Sequence, residues 1–172
     1  MNKSETIDLW LKCQVEYPKV EAIALSARSP ASSIWNAWAQ QLIDEQSDLK
    51  EKKLWAMHPD MWSGNDDHPG FALTMDWALR ARVDFRGHVF RSDAVFDNFI
   101  FPGTARFEDI EFAEYTSFDN VQFLGNVDFS GSTFYDSCFS NVNFARVAKF
   151  YNVKFLGECE FGNGELWFDN YA

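Results

Sequence analysis

Five side chains of "HPDMWSGNDDHPG", His58, Asp60, Asp66, Asp67 and His68, are of the types that ligate a divalent metal. Their spacing matches no established metal site, and the stretch is rich in the Pro, Gly, Asn and Asp of a loop. Solvated loop residues are the expectation. Asp97 and Asp119 form a second candidate, a carboxylate pair that could raise one another's pKa or hold a cation if the chain brings them together. His88 is a candidate base, read instead as a side chain tolerated near a cap. Cys13, Cys138 and Cys159 cannot all pair with one another, form no C-x-x-C and have no neighbouring base by pattern. Phosphate-binding glycine loops and the G-x-S-x-G and H-E-x-x-H motifs are absent. The residue chemistry therefore points to no catalytic residue, no metal and no cofactor.

The composition narrows the classes further. The chain has 172 residues and a formal charge of −11 from 26 acidic and 15 basic residues, which argues against direct binding to nucleic acid or anionic membranes. No apolar run approaches the ~20 residues of a membrane span, and no signal-peptide core is visible. Three cysteines that cannot all pair fit a reducing compartment, so a cytoplasmic protein is expected.

Residues 1–80 read as helices. Thr6 or Ser4 is placed to cap a first helix with Ile7, Trp10, Leu11 and Cys13 near one stripe, ending before Pro18. "KVEAIALSAR" reads as a short second helix. In "SPASSIWNAWAQQLIDEQSDLKEKK", Ser29 caps, Pro30 takes the first turn, and Ile34, Trp35, Trp38, Leu42 and Leu49 follow helical spacing. "FALTMDWALRARV" suggests a last short helix or an extended lead-in. Trp35, Trp38 and Trp55 are expected in the core rather than on a binding surface.

From residue 81 the period changes. Phe stands at positions 85, 90, 96, 101, 107, 112, 118, 123, 129, 134, 139, 144, 150, 155 and 161, at intervals of five or six. Strands repeat every two residues and helices every 3.6 or so, so only an internal repeat explains this spacing. Small or apolar residues precede most of these Phe by two, with His88 an exception, and turn formers such as Gly87, Asn98, Gly103, Asn120, Gly125 and Asn141 follow most of them by two.

This pattern resembles the pentapeptide-repeat family, in its subgroup with Phe-centred units alternating between five and six residues. The resemblance spans about residues 83–168 and implies a right-handed, quadrilateral parallel β-helix of about four coils over residues 81–172, preceded by a small α-helical region that caps it. Wrapped four to a coil, the core residues Phe85, Phe90, Phe96, Phe101, Phe107, Phe112, Phe118, Phe123, Phe129, Phe134, Phe139, Phe144, Phe150, Phe155 and Phe161 form four columns, the last completed by Trp167 or Phe168. The longer intervals then fall at the same two corners of every coil, except between Phe134 and Phe139. Asn98, Asn120, Asn141 and Asn163 share a corner and are expected to form an amide ladder. Asp97 and Asp119 come to lie ~5 Å apart on successive coils, Cys138 points outward and Cys159 inward.

A filled core leaves only the outer sides, so the expected function is a non-catalytic protein–protein interaction or scaffold module. The resemblance also implies an alternative, since some acidic members of the family mimic duplex DNA and bind type II topoisomerases. The repeat half, with 14 acidic and 7 basic residues, fits loosely, although acid and base alternate at Asp84, Arg106, Asp128 and Lys149. A carboxylate-dependent polysaccharide enzyme is disfavoured by the uniform coils. The open far end, followed by Leu166, Trp167, Phe168 and Tyr171, suggests a homodimer formed end to end.

Overall fold

A computed structural model describes residues 1–15, 31–56 and 67–162. Among the described residues, helices α1 (Lys3–Val15), α2 (Ala31–Glu51) and α3 (Phe71–Ala81) lead into fifteen two-residue strands. The "KVEAIALSAR" segment, Ser29, Pro30, Asn163 and the Leu166–Tyr171 cluster fall outside the described residues.

The strands form a right-handed parallel β-solenoid of about four coils. Its first face stacks Val83–Asp84, Ala105–Arg106, Val127–Asp128 and Ala148–Lys149. The second runs from Val89–Phe90 to Lys154–Phe155, the third from Ala94–Val95 to Cys159–Glu160, and the fourth from Ile100–Phe101 to Asn143–Phe144. All pairings are parallel, and those of the second and fourth faces put Phe over Phe, as in Phe90↔Phe112↔Phe134↔Phe155. The short interval after Phe134 removes one residue from a corner and leaves the register intact, because Ser137 still pairs with Thr116 above and Cys159 below.

Within each column the rings stack at 4.6–5.4 Å between centroids. Neighbouring columns meet mostly edge to face, as between Phe118 and Phe129 at 5.5 Å and 82°. Both geometries suit the ring quadrupole. Two residues after Phe, at alternate corners, the backbone enters the left-handed region: Gly87, Asp109, Gly131 and Asn152 at one corner, Asn98, Asn120 and Asn141 at another. Asn, Asp and Gly tolerate that conformation best, so the backbone itself explains the turn formers there. At the corner between the fourth and first faces the reason is contact. A Cβ on Gly125 would lie 2.4 Å from the carbonyl carbon of Gly103.

The helices close the first coil. Asn2 caps α1, accepting from Glu5 N–H at 3.0 Å while Glu5 accepts from Asn2 N–H at 2.9 Å. This reciprocal box replaces the expected Thr6 or Ser4 cap. Thr6 is instead buried against the solenoid, and Leu11, expected on the inner stripe, is 48% exposed. The core is continuous from Trp10, Cys13 and Trp35 into the Phe columns. On the other side of α2, Leu42, Trp77 and Ala81 form a second cluster, against which Trp38 and Trp55 are half-buried. Among the described residues no helix is long and apolar enough to cross a membrane.

Candidate interaction surfaces

In a parallel coil alternate residues turn their amide groups up or down, so the first coil presents unpaired groups upward. Helical side chains meet them. On the first face the Lys3 ammonium donates to Arg86 O, Thr6 Oγ1 accepts from Asp84 N–H at 3.1 Å, and the Met1 amine donates to Arg82 O at 2.8 Å. On the fourth face Trp35 Nε1–H donates to Ile100 O at 2.9 Å. There Asn36 donates to Asn98 O at 2.8 Å and accepts from Ile100 N–H at 3.0 Å, so one side-chain amide stands in for a strand. Phe99 is buried in a slot that holds Val121 and Val142 on later coils, and it stacks on Trp35 at 5.1 Å. The sequence reading missed Phe99; its lack of the five-six spacing hid it, although its inward position two before Phe101 is a legible signal.

The candidate chemical groups have structural partners. Asp97 Oδ1 accepts from Ser117 Oγ at 2.5 Å and from Asp119 N–H at 3.0 Å. Burial chiefly pushes the Asp97 carboxyl up, with a smaller push from Asp119 against those hydrogen bonds. The pair thus pins one coil to the next. One amide rung joins Asn120 Nδ2 to Asn98 Oδ1 at 2.7 Å, but Asn141 Nδ2 donates instead to Asp119 Oδ1 at 3.2 Å. The ladder therefore changes partner where the carboxylate, a stronger acceptor, is within reach.

His88 is half-buried and meets Phe90 edge to face at 4.5 Å; burial, then Lys3, lowers its pKa. Cys138 Sγ–H donates to Ser140 Oγ at 3.2 Å, and burial raises the Cys159 thiol. Cys13, Cys138 and Cys159 form no disulfide. Of the loop candidates, His58, Asp60 and Asp66 lie outside the described residues; Asp67 is exposed, and His68 Nδ1 accepts from Gly70 N–H at 3.0 Å. Among the described residues no three His, Cys, Asp or Glu side chains gather as a metal site.

What remains is the distribution of charge over the outer sides. On the first face Asp84, Arg106, Asp128 and Lys149 alternate, with pairs Arg86–Asp84 at 2.6 Å, Arg106–Glu108 at 2.9 Å and Lys149–Asp128 at 3.7 Å. The third face and the corners that flank it differ. They carry Asp93, Asp97, Glu114, Asp119, Asp136, Glu158 and Glu160, while residues 92–100, 114–122, 136–144 and 157–162 contain no Lys, Arg or His. The other sides carry five acids, Asp84, Glu108, Asp109, Glu111 and Asp128, against six bases, Arg86, Arg91, Arg106, Arg146, Lys149 and Lys154. Beside the acidic corner Tyr115, Tyr135 and Leu156 are 44%, 43% and 59% exposed.

A four-sided β-solenoid with a solid aromatic core, whose variable chemistry lies on its outer sides, is a repeat scaffold. Residues 96–139 and 118–165 match the family model for pentapeptide repeats (9 copies). Residues 96–165 thus carry pentapeptide repeats, and solenoids of that family are generally non-catalytic. No curated protein and no solved structure matches the chain significantly.

Proposed function

We propose that the protein is a non-catalytic interaction module, working in a reducing cytoplasm, whose third face and flanking corners bind a basic protein surface. The observation that carries this reading is the segregation of charge, seven acids without a base on one side of the rod. Like charges crowded together oppose folding, whereas they favour a partner of opposite sign. Tyr115, Tyr135 and Leu156 supply apolar anchors beside the charges, and Tyr is favoured at binding hot spots.

The test compares two purified variants with the parent. One neutralises Asp93, Glu114, Asp136 and Glu158 to Asn or Gln, and the other neutralises Asp84, Glu108 and Asp128 in the same way. A partner captured by the parent and reconstituted from pure components is expected to be lost with the first variant and kept with the second. Equal retention by both variants would overturn the reading.

A second reading is supported by the density of these charges. Seven carboxylates over three coil steps of ~4.8 Å give roughly one charge per 2 Å, against one per ~1.7 Å along duplex DNA. The proposed partner is then a DNA-binding enzyme such as a type II topoisomerase. Inhibition of its supercoiling by the parent, relieved in the first variant, supports mimicry; no inhibition at tenfold molar excess excludes it.

A homodimer through the far end is the third element of the proposal. Phe155 and Phe161, on the last described coil, are 37% and 43% exposed, which supports burial by a second copy. Sedimentation of the parent and of a Trp167→Asp, Phe168→Asp variant checks it. A monomeric parent at tens of micromolar rules the dimer out.

A further inference from the structure

The core of the rod is filled by the Phe columns, and a sizeable concavity lies between the helices. It measures about 570 Å³ and opens between the start of α1, one face of α2 and the exit from α3, within the usual range for small-ligand sites. Trp38 and Leu42 on α2 form its floor, and Leu79, 55% exposed, forms its apolar rim. Such a rim on a soluble helix loses by facing water, since its side chain is among the larger aliphatic ones.

The polar groups in this cleft are unequally satisfied. Arg80 is committed: its guanidinium meets Glu45 at 2.6 Å and Asp76 at 2.8 Å, and the Glu45 hydrogen bond raises its pKa. Glu5 is committed to the α1 cap. Arg82 is not. It is half-buried, its Nε is shut off from solvent without a hydrogen-bond partner, and it enters no ion pair among the described residues. Arg82 lines the cleft, and with no carboxylate paired to it among the described residues its charge is left for an incoming acid group, which a charge-assisted hydrogen bond would hold.

We infer that this cleft is a binding site for a small amphiphilic anion, an aliphatic or aromatic carboxylate. Its acid group meets Arg82, and its apolar body lies on Trp38, Leu42 and Leu79. The site stands apart from the acidic third face and does not depend on the function proposed for it.

The test uses the full chain with 8-anilinonaphthalene-1-sulfonate as reporter, then decanoate and uncharged decanol as competitors. Saturable one-to-one reporter binding is expected, with decanoate displacing it at least tenfold more effectively than decanol. Arg82→Gln is expected to abolish that preference and Arg82→Lys to restore part of it. Leu79→Asp, at an exposed position, is expected to weaken both competitors. Equal displacement by the two competitors in the parent, or an unchanged preference in Arg82→Gln, would overturn the inference. So would reporter binding that survives Leu79→Asp unaltered, which would locate the dye elsewhere, for example on the exposed Phe155 and Phe161.

Discussion

Phe118→Ala tests the stacked core where it is most enclosed. Phe118 is fully buried, lies between Phe96 at 4.8 Å and Phe139 at 5.0 Å, and receives the edges of Phe107, Phe112 and Phe129. Truncation to Ala removes on the order of 100 Å³ of side chain, and a residual cavity adds ~24 cal/mol per Å³, or about 2.4 kcal/mol, to a transfer loss of ~2 kcal/mol. Collapse is hindered because hydrogen bonds fix the coils on both sides, with Phe118 N–H on Cys138 O at 2.8 Å and Phe96 N–H on Ser117 O at 2.8 Å. The expected loss is therefore near the upper end of the ~3–5 kcal/mol seen for buried aromatics. Phe155→Ala is the control. Phe155 is 37% exposed and has one stacked neighbour, Phe134 at 5.3 Å, so about half that loss is expected. Urea denaturation of the three proteins reads both values if the slope m stays constant. Equal losses, or a loss below about 1 kcal/mol for Phe118→Ala, would refute an enclosed, incompressible column.

Asn36→Ala is expected to cost roughly 1–3 kcal/mol, because it leaves Asn98 O and Ile100 N–H without their capping amide. Hydrogen exchange is expected to accelerate at Ile100 first, and unchanged protection there would contradict the strand-mimic role. The raised Asp97 pKa means that the folded state binds its proton more tightly than the unfolded chain does. Its ionised form is therefore a cost that grows as pH rises from the ordinary aspartate range through the folded pKa, and acid relieves it. Asp97→Asn keeps an acceptor for Ser117 and Asp119, so it is expected to flatten this part of the stability–pH curve; an unaltered difference curve between variant and parent rejects the assignment.

The solenoid was legible because its constraint is local and periodic. Each five- or six-residue unit needs one large inward ring and one residue at or near a turn, and Phe85 through Phe161 meet that need in nearly every unit. The cap was less legible, since helix position follows from tertiary contacts. Asn2, Thr6 and Asn36 are polar residues that a helical pattern assigns to caps or solvent, yet Thr6 and Asn36 serve the edge of a sheet 60 or more residues away. The Asn corner was read as a ladder of side chains, whereas positive φ at Asn98, Asn120 and Asn141 gives each of them a backbone reason to be there.

Charge segregation was hidden for a related reason. Along the chain, acids and bases in the repeat region alternate irregularly, and the first face taken alone looks neutral. Folding at 21 or 22 residues per coil, as in Ala94↔Thr116 and Thr116↔Ser137, brings Asp93, Glu114, Asp136 and Glu158 to one corner while Arg86, Arg106 and Lys149 fall elsewhere. A sequence under selection only for the stacked core is free to place either sign at any outward position, because those side chains lie outside the Phe columns. Asp97, Asp119 and Asp136 accept hydrogen bonds that tie coil to coil, yet those bonds do not require that bases be kept off the whole side, and adjacent like charges weaken the rod. The proposal of a basic partner for that side therefore rests on this segregation of charge rather than on the net acidity of the chain.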